Sequence, residues 1–131
     1  MIKPDSNRLI WGILFFAWSC LIILFSALPD DGLVKLGSEN SDFRWDYLEH
    51  LSVFTLFSFL LLQWRNADPV RKRIYLLFIS GILFASLTEL SQLFIESRSF
   101  NYVDLLFNFA GLPLGIVFIQ LFHKIFPRSS T

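Results

Sequence analysis

Six polar side chains stand out in a chain that is otherwise strongly apolar: His50, Glu89, Gln92, Arg98, Asp104 and Asn108. Their types allow two kinds of chemistry. A histidine beside a carboxylate can move a proton, with His50 and either Glu89 or Asp104 as acid and base. An arginine beside amide side chains can instead seat an anionic headgroup, with Arg98 as the charge partner and Glu89 as proton acceptor or hydrogen-bond anchor. No Ser or Cys nucleophile motif and no recognised metal-ligand spacing accompanies them, so no cofactor and no metal is expected. The only other histidine, His123, falls at the far end of its apolar stretch and is not expected to join His50.

Four apolar stretches must position these groups: residues 9–28, 47–64, 74–95 and 102–122. The first has no charge. The second is interrupted only by Glu49 and His50 near its start, the third by Glu89, and the fourth by Asp104. Each is about 20 residues, enough at ~1.5 Å per residue to cross a hydrocarbon core of ~30 Å. A soluble bundle would need a solvated stripe on every helix, and that stripe is missing. Composition agrees: 54% of the 131 residues are hydrophobic, 16 are Phe, and 17% are charged, against roughly 25% charged in soluble domains. The expectation is an all-α polytopic membrane protein, four transmembrane helices in an up-down bundle forming a single domain over 1–131. Equal totals of acidic and basic residues give no reason to expect a nucleic-acid partner. The lone Cys20 excludes a disulfide framework within the chain.

The first stretch has the basic start of a signal peptide, but Phe25-Ser26-Ala27 puts a bulky residue where a cleavage site needs a small one. It reads as a retained helix, ended by Pro29. Ser26 reads as a helix-end hydroxyl bonded to its own backbone. Eight basic residues (Lys3, Arg8, Arg65, Arg71, Lys72, Arg73, Lys124, Arg128) fall on one side of such a bundle, and three (Lys35, Arg44, Arg98) on the other. That asymmetry places both termini in the cytoplasm. The acidic, Gly- and Ser-containing segment 30–45 is then an outer loop, and 127–131 a frayed tail. All six polar candidates fall in the outer leaflet or its loops, together with Asp46 and Glu49.

The last two helices are joined by about six residues and must be antiparallel neighbours. Equal depth then pairs Gly81 with Gly115, Ala85 with Gly111, Glu89 with Phe107 or Asn108, and Gln92 with Asp104. At about 100° per residue, Gly81, Ala85, Glu89 and Gln92 form one stripe, and Asp104, Asn108, Gly111 and Gly115 another. Small residues would meet small residues below, and polar residues would meet polar ones above. Pro113 lies between the two glycines and is expected to kink the fourth helix.

Glu89-Leu90-Ser91-Gln92, then Arg98, Asp104, Asn108, Gly111 and Gly115, resemble the signature of VanZ-like proteins. Asp46, Glu49 and His50 resemble the acidic and His positions of the short four-helix members, and residues 26–29 look like their first-helix ending. The resemblance covers helices two to four well and helix one loosely. It implies a bacterial integral membrane protein of the cell envelope, in the cytoplasmic membrane. The family's founding member is associated with low-level resistance to teicoplanin, a lipid-tailed glycopeptide. This chain lacks the extra helical sequence of the longer members.

Two functional classes follow. One is an envelope protein whose outer polar pocket binds or modifies a lipid-linked cell-wall precursor or another lipid-tailed molecule. The other is a membrane enzyme using His/Glu/Asp acid–base chemistry at the headgroup level. A transporter is disfavoured, because the inner halves of the helices carry no polar path. Oligomeric state is left open.

Overall fold

The computed structural model describes residues 6–29, 46–66 and 68–126. The expected outer loop at 30–45 and the expected tail at 127–131 lie outside these. Among the described residues there are four α-helices and no strand: α1 (Ser6–Ala27), α2 (Asp46–Trp64), α3 (Val70–Ser91) and α4 (Tyr102–Ile125), with a 3-10 turn at Gln92–Phe94. Local chemistry sets several of these boundaries. Pro69 precedes the first turn of α3, where a missing N–H costs nothing. The side chain of Asn101 accepts a hydrogen bond from the Val103 N–H at 2.9 Å and so caps α4. Between α2 and α3, Arg65 pairs with Asp68 at 2.6 Å, and Arg73 donates to Asn66 at 2.6 Å.

Three segments are long and apolar enough to cross a membrane: α1, Val70–Phe94 and α4. Helix α2 is not among them. It carries Asp46, Glu49, His50 and Gln63, which lower its hydropathy. It is also the helix most enclosed by protein, burying Phe54, Phe57, Ser58, Leu60, Leu61, Leu62 and Gln63. α1, by contrast, buries only Gly12, Phe15, Ile22 and Ser26. A helix surrounded by other helices can tolerate polar groups that a lipid-facing helix cannot. The outward surface is apolar, as lipid contact requires: Leu9, Ile13, Phe16, Ile23 and Phe25 on α1, and Val117, Phe118 and Leu121 on α4, are all exposed.

The most extensive packing is between α2 and α4. Their partners ascend together along the two chains. Tyr47 stacks on Phe107 with ring centroids 5.0 Å apart, His50 meets Asn108, and Ser58 Oγ donates to the Leu112 carbonyl at 2.7 Å. Further along, Gln63 Oε1 lies 3.4 Å from His123 Nε2. Along α1 and α2 the order reverses: Trp18 Nε1 donates to the Val53 carbonyl, Phe15 packs on Phe57, and Trp11 meets Phe59 edge-on.

The small residues do not zip α3 to α4 as their equal depth suggests. Gly111 and Gly115 face α2. A Cβ at Gly111 would lie 2.7 Å from the Leu51 carbonyl oxygen and 2.9 Å from the Thr55 nitrogen, and one at Gly115 would collide with Ser58. Gly81 instead accommodates the Leu112 side chain, 2.6 Å from where its Cβ would stand. Ala85 is fully buried in the core. The reason is rotational. Leu112 is one residue, or about 100°, from Gly111, so α4 turns its glycines to α2 and a leucine knob to α3. Equal depth governs how far along two helices residues meet, and says nothing about which neighbour each face meets.

Ser26 also departs from expectation. Its Oγ donates across to the Thr88 carbonyl of α3 at 3.0 Å, rather than to its own helix. The N–H of Gln92 bonds the Glu89 carbonyl, three residues back, as the helix tightens into the 3-10 turn. The Thr88 carbonyl thereby loses its regular donor, and the hydroxyls of Ser26 and Ser91 supply replacements.

Candidate functional site

The start of α2, the end of α3, the α3–α4 connection and the start of α4 converge at one end of the bundle. At the centre is Asn108, 1% exposed, on the first turns of α4. Its Nδ2 donates to Glu89 Oε1 at 3.0 Å. That fixes the orientation of the amide, so Oδ1 faces His50 Nδ1, also at 3.0 Å, and accepts from it. His50 Nδ1 lies 3.6 Å from Glu89 Oε1, and its Nε2 lies 3.7 Å from Asp104 Oδ2. The imidazole therefore stands between two carboxylates, with both ring nitrogens facing protein groups. Asp104, expected beside Gln92, faces His50.

Burial makes these contacts consequential. Glu89 is 1% exposed, and Gln92 and Asp104 are buried with it. Two carboxylate oxygens, Glu89 Oε2 and Asp104 Oδ1, are enclosed with no hydrogen-bond partner among the described residues. An unsatisfied buried acceptor costs about 1–3 kcal/mol, more when charged.

A cavity of about 620 Å³ opens beside this cluster. Five of the six candidates line it: His50, Glu89, Gln92, Arg98 and Asn108, joined by Glu49. Asp104 does not; it stands behind His50. The remaining wall is mainly apolar and comes mostly from α1 and α2, chiefly Trp18, Leu21, Ile22, Phe25 and Val53. Reasoning from the sequence missed this wall. Its signal was present: residues 18, 21, 22, 25 and 26 recur at the three- and four-residue spacing of one helical face. Among the described residues, no group of three His, Cys, Asp or Glu side chains is placed to hold a metal ion.

Apolar helices of membrane-crossing length, gathered around one buried polar cluster, are the build of a small integral membrane protein. Residues 9–123 match the model of the VanZ/LLP1 family, and the chain belongs to this VanZ-like family. No curated protein and no solved structure matches it.

Proposed function

We propose that this protein is a four-span, N-in/C-in protein of the bacterial cytoplasmic membrane whose outer-side cavity binds a lipid-linked or lipid-tailed molecule. The four-span, up-down reading is supported by the contact order, ascending between α2 and α4 and reversed between α1 and α2. The central position of α2 supports counting it as the fourth span despite its polar start. Orientation rests on the eight-to-three distribution of basic residues.

One observation carries the binding reading: a single cavity joins an apolar wall to a polar floor. Trp18, Leu21, Ile22 and Phe25 offer a surface for a tail, and Glu49, Gln92 and Arg98 on the same lining bring polar groups for a headgroup. Its volume of about 620 Å³ lies within the ~300–1,000 Å³ of ordinary ligand sites. A lipid-linked cell-wall precursor and a lipid-tailed glycopeptide both have this two-part chemistry. Binding is favoured over acid–base catalysis by His50, because both nitrogens of that ring are turned to Asn108 and Asp104 and not to the cavity.

Photo-crosslinking tests the reading. In liposomes, a phospholipid with a diazirine at mid-chain is expected to label residues 18–25 and 48–54 several-fold more than the equally apolar groove of Leu114, Phe118 and Leu121 on α4. Even labelling of all lipid-facing surfaces would defeat it.

A further inference from the structure

We propose that the outward face of α3 is a second lipid site, at the end of the bundle opposite the polar cluster, and that it selects an anionic phospholipid whose phosphate meets Arg71. Segment 65–73 carries four basic residues and one acid. Arg65 is engaged with Asp68, and Arg73 with Asn66. Arg71 and Lys72 are exposed, and neither forms an ion pair among the described residues. Of these two, Arg71 lines a groove of about 530 Å³ on α3, and Lys72 does not.

Beyond Arg71 the groove is apolar. Tyr75, Phe78, Ile79 and Ile82 follow it at four-, seven-, eight- and eleven-residue spacing, so one helical face leads from a cation into an apolar channel. The stretch from Ile74 to Leu83 covers about 14 Å at ~1.5 Å per residue. One leaflet of a hydrocarbon core ~30 Å thick is about 15 Å deep, so the groove has the length of one acyl chain. Tyr75, one turn deeper than Arg71, places an amphipathic ring at the headgroup boundary. The guanidinium of Arg71 presents several donors in a planar fork that fits a phosphate. The α4 groove of Leu114, Phe118 and Leu121 lacks this polar end, for no charged residue lines it. Charge at one end is what makes the α3 face selective. Tyr75, Ile79, Ile82 and Leu83 are exposed, so the groove is open to the bilayer. Its lipid exchanges there and is shed in detergent, unlike one enclosed in the cavity.

The test uses the full-length protein in choline-phospholipid liposomes containing a trace of a photolabelling lipid. That lipid carries a diazirine at mid-chain and either a glycerol headgroup, which is anionic, or a choline headgroup, which is zwitterionic. Labelled residues are mapped by mass spectrometry. Wild type is expected to take the anionic label at residues 74–83 about fivefold over the zwitterionic one, the worth of one basic side chain at an anionic headgroup. The α4 groove should take both equally. Arg71→Gln should bring the preference at 74–83 to near unity. Lys72→Gln, which removes the same charge from the same end, should leave most of it. Both positions are exposed, and a size-exclusion profile checks folding. Equal labelling of 74–83 by the two headgroups in wild type would overturn the proposal. So would an equal loss in the two variants, or an equal anionic preference at the α4 groove, because either assigns the selectivity to the diffuse potential of a basic end. The site stands apart from the cavity: labelling at 18–25 and 48–54 tests the one, and headgroup preference at 74–83 tests the other.

Discussion

Asn108 donates to Glu89 across the α3–α4 interface at 3.0 Å and, through its other amide atom, accepts from His50 on α2 at 3.0 Å. One side chain thus ties three helices together and holds the Glu89 carboxylate beside the cavity. Its loss should be felt in stability. Interhelical hydrogen bonds in membranes contribute only ~0.6 kcal/mol on average, but stranding a buried carboxylate costs about 1–3 kcal/mol. Asn108→Leu is therefore expected to lower the free energy of unfolding by about 2 kcal/mol in mixed-micelle SDS titration. A midpoint equal to wild type would show that Glu89 does not depend on Asn108.

The glycine contacts predict an asymmetry between two alanine substitutions. Gly111 abuts α2 backbone, which has no freedom to retreat, whereas Gly81 abuts the end of the Leu112 side chain, which can turn by a small rotation. Gly111→Ala should cost about 1–3 kcal/mol through overpacking. Gly81→Ala should be close to neutral, with the ~1 kcal/mol gained in helix propensity offsetting a small shift of Leu112. Phe118→Leu, at an exposed position, serves as the surface control. Folded fraction after extraction in mild detergent gives the ranking, and equal yields for the two glycine variants would contradict it.

Two hydroxyls converge on the Thr88 carbonyl, from Ser26 and from Ser91. Either alone can satisfy it, so Ser26→Ala and Ser91→Ala should each cost under about 1 kcal/mol. The double variant should exceed their sum by at least ~0.5 kcal/mol, measured by the same SDS titration. Strict additivity would mean that the carbonyl finds another donor.

Much of this arrangement is readable in the sequence, and the reasons are particular. Costly polar residues in apolar stretches mark their own depth, so Glu89 could be matched to the level of Phe107 or Asn108 by counting along a hairpin. Rotation about each helix axis is not set by counting. Gly111 and Gly115 sit at the depth of α3's small residues yet pack on α2. The partner of Ser26, 62 residues away on α3, depends on where the 3-10 turn releases a carbonyl, and no local pattern announces that. The apolar wall of the cavity was missed because Trp18, Ile22 and Phe25 look like any lipid-facing stripe. Only the neighbouring α2 makes them a wall.

Orientation in the membrane is tested by cysteine labelling in a Cys20→Ser background. Ser99→Cys, on the α3–α4 connection, should react with an impermeant maleimide in intact spheroplasts, and Ala67→Cys, between Arg65 and Arg71, should react only after lysis. The reverse pattern would place the polar cluster on the cytoplasmic side.

The central claim is that the cavity between α1 and α2 holds a lipid-tailed molecule, and narrowing that cavity tests it most directly. Ile22 lines the wall and is 8% exposed, whereas Leu121 on α4 is 50% exposed and away from the cavity. Native mass spectrometry of the detergent-extracted protein, with folding checked by size-exclusion profile, gives the number of lipids retained per chain. Wild type and Leu121→Trp are expected to retain one lipid, and Ile22→Trp, with the indole filling the tail site, none. Equal retention by a folded Ile22→Trp would contradict the account.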